Sequence, residues 1–184
     1  MNFVSVSDGA SVIRQGGVVA YPTEFCYGLG CDPSNTGAVR RILRLKRRER
    51  DKGLILIADR LSRLSRYILP LPAPYRDEML ENWPGPFTWL VPARPGVSRW
   101  VRGDHDTVAV RVTAHRYAGR LCRAAGMAVI STSANRARQS PLRTAEAVSG
   151  VFSGQVDCIV DGKVGSGSSP TTIRDGRTGN VVRP

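Results

Sequence analysis

Strand-sized apolar runs alternate with helix-length amphipathic stretches, and this constrains the fold of the chain more than any other feature. "VVAYP" (18–22), "LILIA" (54–58), "FTWLVP" (87–92), "TVAVRV" (107–112) and "MAVIST" (127–132) are each bounded by proline, glycine or polar residues, as buried strands are. Further strands are expected near 157–160, 171–174 and 180–183. Helices are expected over Asp8–Gln15, stopped by Gly16-Gly17, and from an N-cap at Ser34 to about Arg48. Others are expected over Ala73–Glu81, broken by "WPGP" (83–86), over Arg116–Ala125 and over Ala145–Val151. Strand–helix alternation implies an α/β fold. Several hairpin-like connections make its sheet mixed, twisted and flanked by helices. At 184 residues and 41% hydrophobic, one domain spanning 1–184 around one core is expected.

No apolar run approaches the ~20 residues of a membrane helix. The start, "MNFVSVSDGA", has neither the basic opening nor the apolar stretch of a signal peptide. Cys26, Cys31, Cys122 and Cys158 are scattered, which fits reduced thiols in a cytoplasmic chain. No Cys–His set completes a zinc site, so no metal ligands are expected. His105 and His115 read as surface or capping residues, and Trp83, Trp89 and Trp100 as core or rim packing.

The charge is uneven. Between Arg40 and Lys52 lie eight Lys/Arg against Glu49 and Asp51, so +6 of the formal +12 falls there. This implies an anionic partner: nucleic acid, a phosphorylated small molecule, or both. Val39, Ile42, Leu43 and Lys46 fall at i, i+3, i+4 and i+7, so the apolar face of this helix rolls round to Lys46. Cations at a helix C-terminus are favoured by the dipole, but Arg50 and Lys52 continue past it to the next strand. Fixed cations at a strand end suit a polyphosphate.

No phosphate-binding Gly-x4-Gly-Lys-Ser/Thr run exists, and "GLGCDP" (28–33) reads as a tight turn. "VISTSAN" (129–135) carries an apolar strand into Ser131, Thr132, Ser133 and Asn135, groups able to bond phosphate or ribose, or to cap the next segment. In "TVAVRV", Thr107, Ala109 and Arg111 share one strand face. Arg111 must find an anion: Glu24, Asp51 or Asp161 as an ion pair, or a substrate carboxylate.

Together these stretches resemble the YrdC/Sua5 family, the threonylcarbamoyl-AMP synthases. "AYPTE" (20–24), "GCDP" (30–33), "LKRRERDKGLILIA" (45–58), "WPGPFT" (83–88), "AVRVT" (109–113) and "STSAN" (131–135) come in the family's order over nearly the whole chain. The likeness is to the short bacterial form, without the extra C-terminal domain of longer members. It implies a twisted mixed sheet around a deep, basic concave surface. It also implies a nucleotidyltransferase reaction, in which L-threonine, bicarbonate (or carbon dioxide) and ATP with Mg²⁺ give threonylcarbamoyl-AMP and pyrophosphate. Downstream transferase proteins then modify the adenosine beside the anticodon of tRNA.

By the resemblance, Lys46, Arg48, Ser133 and Asn135 carry the chemistry. Arg48, Lys52, Thr107, Ser133, Asn135 and Arg183 face ATP, with Lys46 beside the phosphates. Thr23, Arg111, Ser131 and Thr171 face threonine. Three departures stand out: Glu49 replaces a usual proline, Phe25 replaces a usual threonine, and "SPTT" (169–172) replaces Pro-Ser-Thr. The alternative is a non-catalytic protein of ribosome maturation or tRNA handling. It would bind tRNA or double-stranded RNA through Arg94, Arg99, Arg102, Arg136, Arg138 and Arg143. With 7% aromatic residues, base-specific reading is not expected. A related domain that uses carbamoyl phosphate is a second alternative, though such domains sit in much longer chains.

Overall fold

The computed structural model describes residues 2–184. In chain order the elements are β1 (Phe3–Val4), α1 (Val6–Arg14), β2 (Val19–Pro22), β3 (Tyr27–Gly30), α2 (Thr36–Lys46) and β4 (Ile55–Ala58). Next come α3 (Tyr75–Glu81), β5 (Phe87–Pro92), α4 (Arg99–Arg102), β6 (Thr107–Val112), α5 (Arg116–Ala125) and β7 (Val129–Ser133). The chain finishes with α6 (Ala145–Phe152), β8 (Cys158–Val160), β9 (Thr172–Asp175) and β10 (Val181–Arg183). The strands form one sheet in the order β1-β8-β2-β3-β7-β4-β6-β5-β9-β10. Parallel pairs (β4–β6, β5–β9) and antiparallel ones (β3–β7, β4–β7, β5–β6) both occur, so the sheet is mixed, as expected.

Cross-strand register sorts the two faces. On one, Leu29, Leu56, Val110, Ile130 and Trp89 form the larger core with Val39, Ile42 and Leu43 of α2 and Val148 and Phe152 of α6. On the other, Tyr21, Ile57 and Val129 pack beneath Ala10 and Ile13 of α1 and Ala118, Leu121 and Cys122 of α5. These two helices cover only part of that second face. Further along it lie Gly28, Ile55, Ala109, Ser131 and Ser133, related by the same register. This uncovered stretch is where the cleft forms.

The expected α2 cap at Ser34 is a correction. Asn35 caps the helix, its side chain accepting from the Ala38 amide, while the Ser34 hydroxyl donates to Asp32. The helix also ends earlier than expected, at Lys46. Arg47 takes the left-handed conformation (φ 51°), and the Arg47 and Arg48 amides bond the carbonyls of Arg44 and Leu43, which closes the helix as a Schellman motif. Glu49 then holds φ −63°, the value a proline would impose. The backbone route survives that replacement.

A second correction concerns residues 28–33, which do not form one tight turn. Gly28 and Gly30 lie inside fully buried β3, paired with β2 and β7, and the turn comes only after Cys31. The glycines misled because they signal close approach here. A Cβ on Gly30 would meet the Ile130 carbonyl oxygen and the Tyr21 ring, each at 2.6 Å. Gly30→Ala should therefore cost about 1–3 kcal/mol through overpacking. The check is a lower urea midpoint at unchanged slope.

Candidate functional site

Three adjoining hollows make one cleft over the uncovered sheet face. The innermost encloses about 150 Å³ and is lined by Thr23, Phe25, Cys26, Arg48, Arg111, Ser131, Ser133, Thr171 and Arg183, among others. A second, of about 500 Å³, is walled by Lys46, Arg48, Lys52, Ser133, Asn135 and Arg138. The third, of about 270 Å³, is walled by Arg48, Lys52, Thr107, His105 and Arg183. Arg48 belongs to all three. The inner pocket alone falls below the ~300–1,000 Å³ of drug-sized ligand sites. It suits a small solute, and the outer hollows add room for something much larger.

Lys46 sits on the buried stripe of α2 at 5% exposure. Burial is expensive for an ammonium unless each donor is met. The Lys46 Nζ donates to the Ser133 carbonyl, the Asn135 carbonyl and the Asn135 Oδ1, all within 3.0 Å. The Ser133 hydroxyl donates to the same Oδ1 (2.7 Å), and the Asn135 amide donates to the Gln139 carbonyl (2.6 Å). Lys46 thus fixes the "STSAN" turn. Burial first, then the Arg48 charge, pull Lys46 down to about 8, while its three oxygen acceptors favour the proton.

Arg48 leaves the helix end and turns inward, held by the Gly53 carbonyl (3.0 and 3.2 Å) and the Lys52 carbonyl. Lys52 is exposed and pairs with Glu49 at 2.7 Å. Arg111 is 4% exposed. Its Nη1 donates to the Thr171 hydroxyl (2.9 Å) and its Nη2 to Glu24 (3.1 Å). Of the anions open to Arg111 from sequence, Glu24 is the one present, and Thr113 donates to its other oxygen. The Arg183 Nη2 donates to the Thr171 carbonyl (2.7 Å). Burial, with Arg111 and Arg48 nearby, lowers the Arg183 guanidinium below its ordinary range. Three guanidiniums therefore border the inner pocket, and no carboxylate is in its wall.

All the site residues expected from sequence reach this cleft. Thr171, in the altered "SPTT" stretch, bonds Arg111 and the Thr88 hydroxyl. Reasoning from sequence missed the part played by Cys26, Gly28, Pro141 and Pro170 in the inner wall. Nothing in one sequence marks a proline as pocket-lining. His105, given no chemistry, lines the third hollow. Of the six arginines of the RNA alternative, only Arg99 meets a carboxylate among the described residues. Arg94, Arg102 and Arg143 donate to backbone carbonyls, Arg99 pairs with Asp104, and Arg136 reaches Gln155. Among the described residues no group of three His, Cys, Asp or Glu could hold a metal. No helix there is long and apolar enough to cross a membrane.

Lys46→Met would leave the turn's oxygens without their donor. Stability should fall by about 1–3 kcal/mol, read from urea unfolding at pH 7, with Lys46→Arg falling less.

A family model covering Sua5, YciO and YrdC proteins, described as "Telomere recombination", matches residues 11–184. The threonylcarbamoyl-AMP synthase of Halorhodospira halophila is 50% identical over 178 residues, 97% of this chain and 93% of that protein. Its counterpart from Nitrosococcus oceani is 52% identical over 174 residues, 95% and 94% of the two chains. The crystal structure of P. abyssi Sua5 complexed with L-threonine superposes with a TM-score of 0.87 at 33% identity, covering 92% of this chain and 50% of that one. This chain thus spans about half of the Sua5 chain. With the fold, the cleft and these likenesses agreeing, the chain belongs to the YrdC/Sua5 family.

Proposed function

We propose that the chain is a threonylcarbamoyl-AMP synthase, a nucleotidyltransferase that joins L-threonine, bicarbonate and ATP. The observation that carries this reading is the meeting of Arg48, Arg111 and Arg183 around a small pocket that opens into the Lys46–Ser133–Asn135 hollow. The small pocket takes threonine, with its carboxylate on Arg111 and with hydroxyl groups from Thr23, Ser131 and Thr171 around it. The larger hollows take ATP. Its phosphates meet Arg48, Lys52, Ser133 and Asn135, and its nucleoside runs toward Thr107 and Arg183. Mg²⁺ would arrive with ATP as part of the substrate and would supply charge neutralisation at the phosphates beside Arg48 and Lys52.

The chemistry needs positioning more than acid–base groups. The free amine of threonine adds to bicarbonate, and water leaves; the new carbamate group carries one negative charge, in addition to that of the threonine carboxylate. A carbamate oxygen then bonds to the α-phosphorus as the bond to pyrophosphate breaks. Two anions must be brought together. Two unit charges ~4 Å apart at an effective dielectric of ~20 repel by about 4 kcal/mol. Prearranged guanidiniums offset that cost without reorganising during the reaction. Lys46 acts through the turn that it holds, placing the Ser133 and Asn135 groups beside the phosphates. The product then serves transferases that modify tRNA, which puts the protein in the cytoplasm.

Pyrophosphate release should require ATP, threonine and bicarbonate together, and omission of any one should return it to background. Arg48→Ala should lower kcat/KM by about 10²-fold or more, as loss of a transition-state donor does. Release that proceeds without threonine would reject the reading.

Lys46 also predicts a pH limb. Its three bonds need the ammonium, and its value is about 8. Activity should therefore fall as pH rises through about 8. That descending limb should vanish in Lys46→Arg, which does not titrate in this range; the pH–rate profiles of both proteins decide it.

A further inference from the structure

The outer wall of the inner pocket is built as a clasp. Residues 23–26 form a tight turn in which the Thr23 amide and hydroxyl both bond the Cys26 carbonyl (3.0 and 2.7 Å). Phe25 rides on this turn and lines the pocket. The Arg143 guanidinium lies over its ring, 5.0 Å from the centroid, and donates to the Gly167 carbonyl at 3.1 Å. The strap holding Gly167 is bound to the same turn. The Gly165 amide bonds the Thr23 carbonyl (2.9 Å), and the Gly167 amide bonds the Glu24 carbonyl (3.1 Å). A Cβ at Gly165 or Gly167 would stand 2.6 or 2.9 Å from the Glu24 carbonyl oxygen, so glycine lets the strap lie this close. Arg143 is itself placed by its neighbour Leu142, whose amide and carbonyl bond Ala134 and Tyr27.

From this geometry we infer that Phe25 is the specificity-determining wall of the amino-acid pocket, and that Arg143 is the positioning residue that locks it. The inference rests on the reading of the inner pocket as the threonine site. The charged and hydroxyl groups of the lining, Arg111, Thr171, Ser131 and Thr23, answer the carboxylate and hydroxyl of such a ligand. The Phe25 ring, with Pro141 and Pro170, supplies apolar surface for its methyl group and sets the side-chain volume admitted. Arg143 spends its charge on the outer face of the ring and on the strap; it holds the wall and is not an anion ligand. Cation–π contact and hydrogen bond act together on one guanidinium, so a ring that swings out gives up its contact with a strap-held cation.

The test compares L-threonine, L-serine, L-valine and L-β-phenylserine in two ways: as substrates by pyrophosphate release, and as ligands by calorimetry without bicarbonate. Discrimination by one methyl group is worth roughly 10–200-fold. The unaltered protein should prefer threonine to serine by about tenfold or more and exclude β-phenylserine. Phe25→Ala should collapse the threonine–serine ratio and admit β-phenylserine, with the KM for ATP unchanged. Arg143→Met should raise the KM for threonine several-fold at unchanged kcat, and Arg143→Lys should restore part of it. Phe25→Leu serves if the alanine variant unfolds; it should give an intermediate ratio. Ratios that stay fixed in every variant, or threonine and ATP constants that worsen together, would overturn the inference. If no protein releases pyrophosphate but the calorimetric ratios still shift, the synthase reading fails and the wall stands.

Discussion

The Lys46 ammonium inside the protein is the constraint on which the rest of the cleft depends. The apolar stripe of α2 carries Lys46 inward with Val39, Ile42 and Leu43, and an unpaired cation there could not persist. Three oxygens from the end of β7 meet it. That one group joins the C-terminus of a helix on one sheet face to the C-terminus of a central strand. The chain turns away directly after it. The helix stops at Lys46, where Arg47 takes the left-handed conformation. Arg48 is thereby swung away from the helix axis and into the cleft, where the Gly53 carbonyl receives it.

Beyond Lys46, the cleft holds two guanidiniums that are oriented without being neutralised, while Lys52 pairs with Glu49. Arg48 rests on the carbonyls of Lys52 and Gly53, and Arg183 on that of Thr171. A carbonyl fixes a guanidinium but contributes no opposing charge. Arg111 has a carboxylate partner, Glu24, outside the pocket wall. Mutual repulsion is visible in Arg183, whose proton affinity the charges of Arg111 and Arg48 help to lower. Such an arrangement costs stability in the empty protein and is relieved when anions enter. Binding and charge stabilisation thus draw on the same groups.

Much of this was legible in the sequence, for identifiable reasons. β5, β6 and α5 begin and end where pattern alone puts them, because proline, glycine and period-two alternation mark their limits. The burial of Lys46 was readable from helical spacing. What failed was local chemistry that serves tertiary packing. Gly28 and Gly30 mimic a turn in sequence, while their role is to let Tyr21 and β7 approach. Ser34 and Asn35 are both good caps, and only the side-chain bond to Asp32 removes Ser34 from the choice. The two-residue β1 and the single-turn α4 are too short to leave a periodic trace. For the site, charged and hydroxyl residues could be singled out by type. The prolines and the thiol of the inner wall could not, since their place there depends on strand register.

Register also explains why a protein of this size can spare part of a sheet face for chemistry. Val129 and Ser131 lie two apart on β7, as Ile57 and Ile55 do on β4, and the same pairs face each other across the strands. One step along the alternation separates core from cleft. Val129 and Ile57 are covered by α5, whereas Ser131 and Ile55 line the pocket. β3 makes the same passage with two glycines: Gly30 is closed by the Tyr21 ring, and Gly28 opens on the pocket. The covered end fixes the strands to within the tolerance of a packed core. The open end inherits that precision without helices of its own, so Arg111 hangs from a packed strand, while Arg48 and Arg183 are held by carbonyls. A cleft lined this way can be strongly charged and still well ordered, because its stability comes from the other end of the same strands.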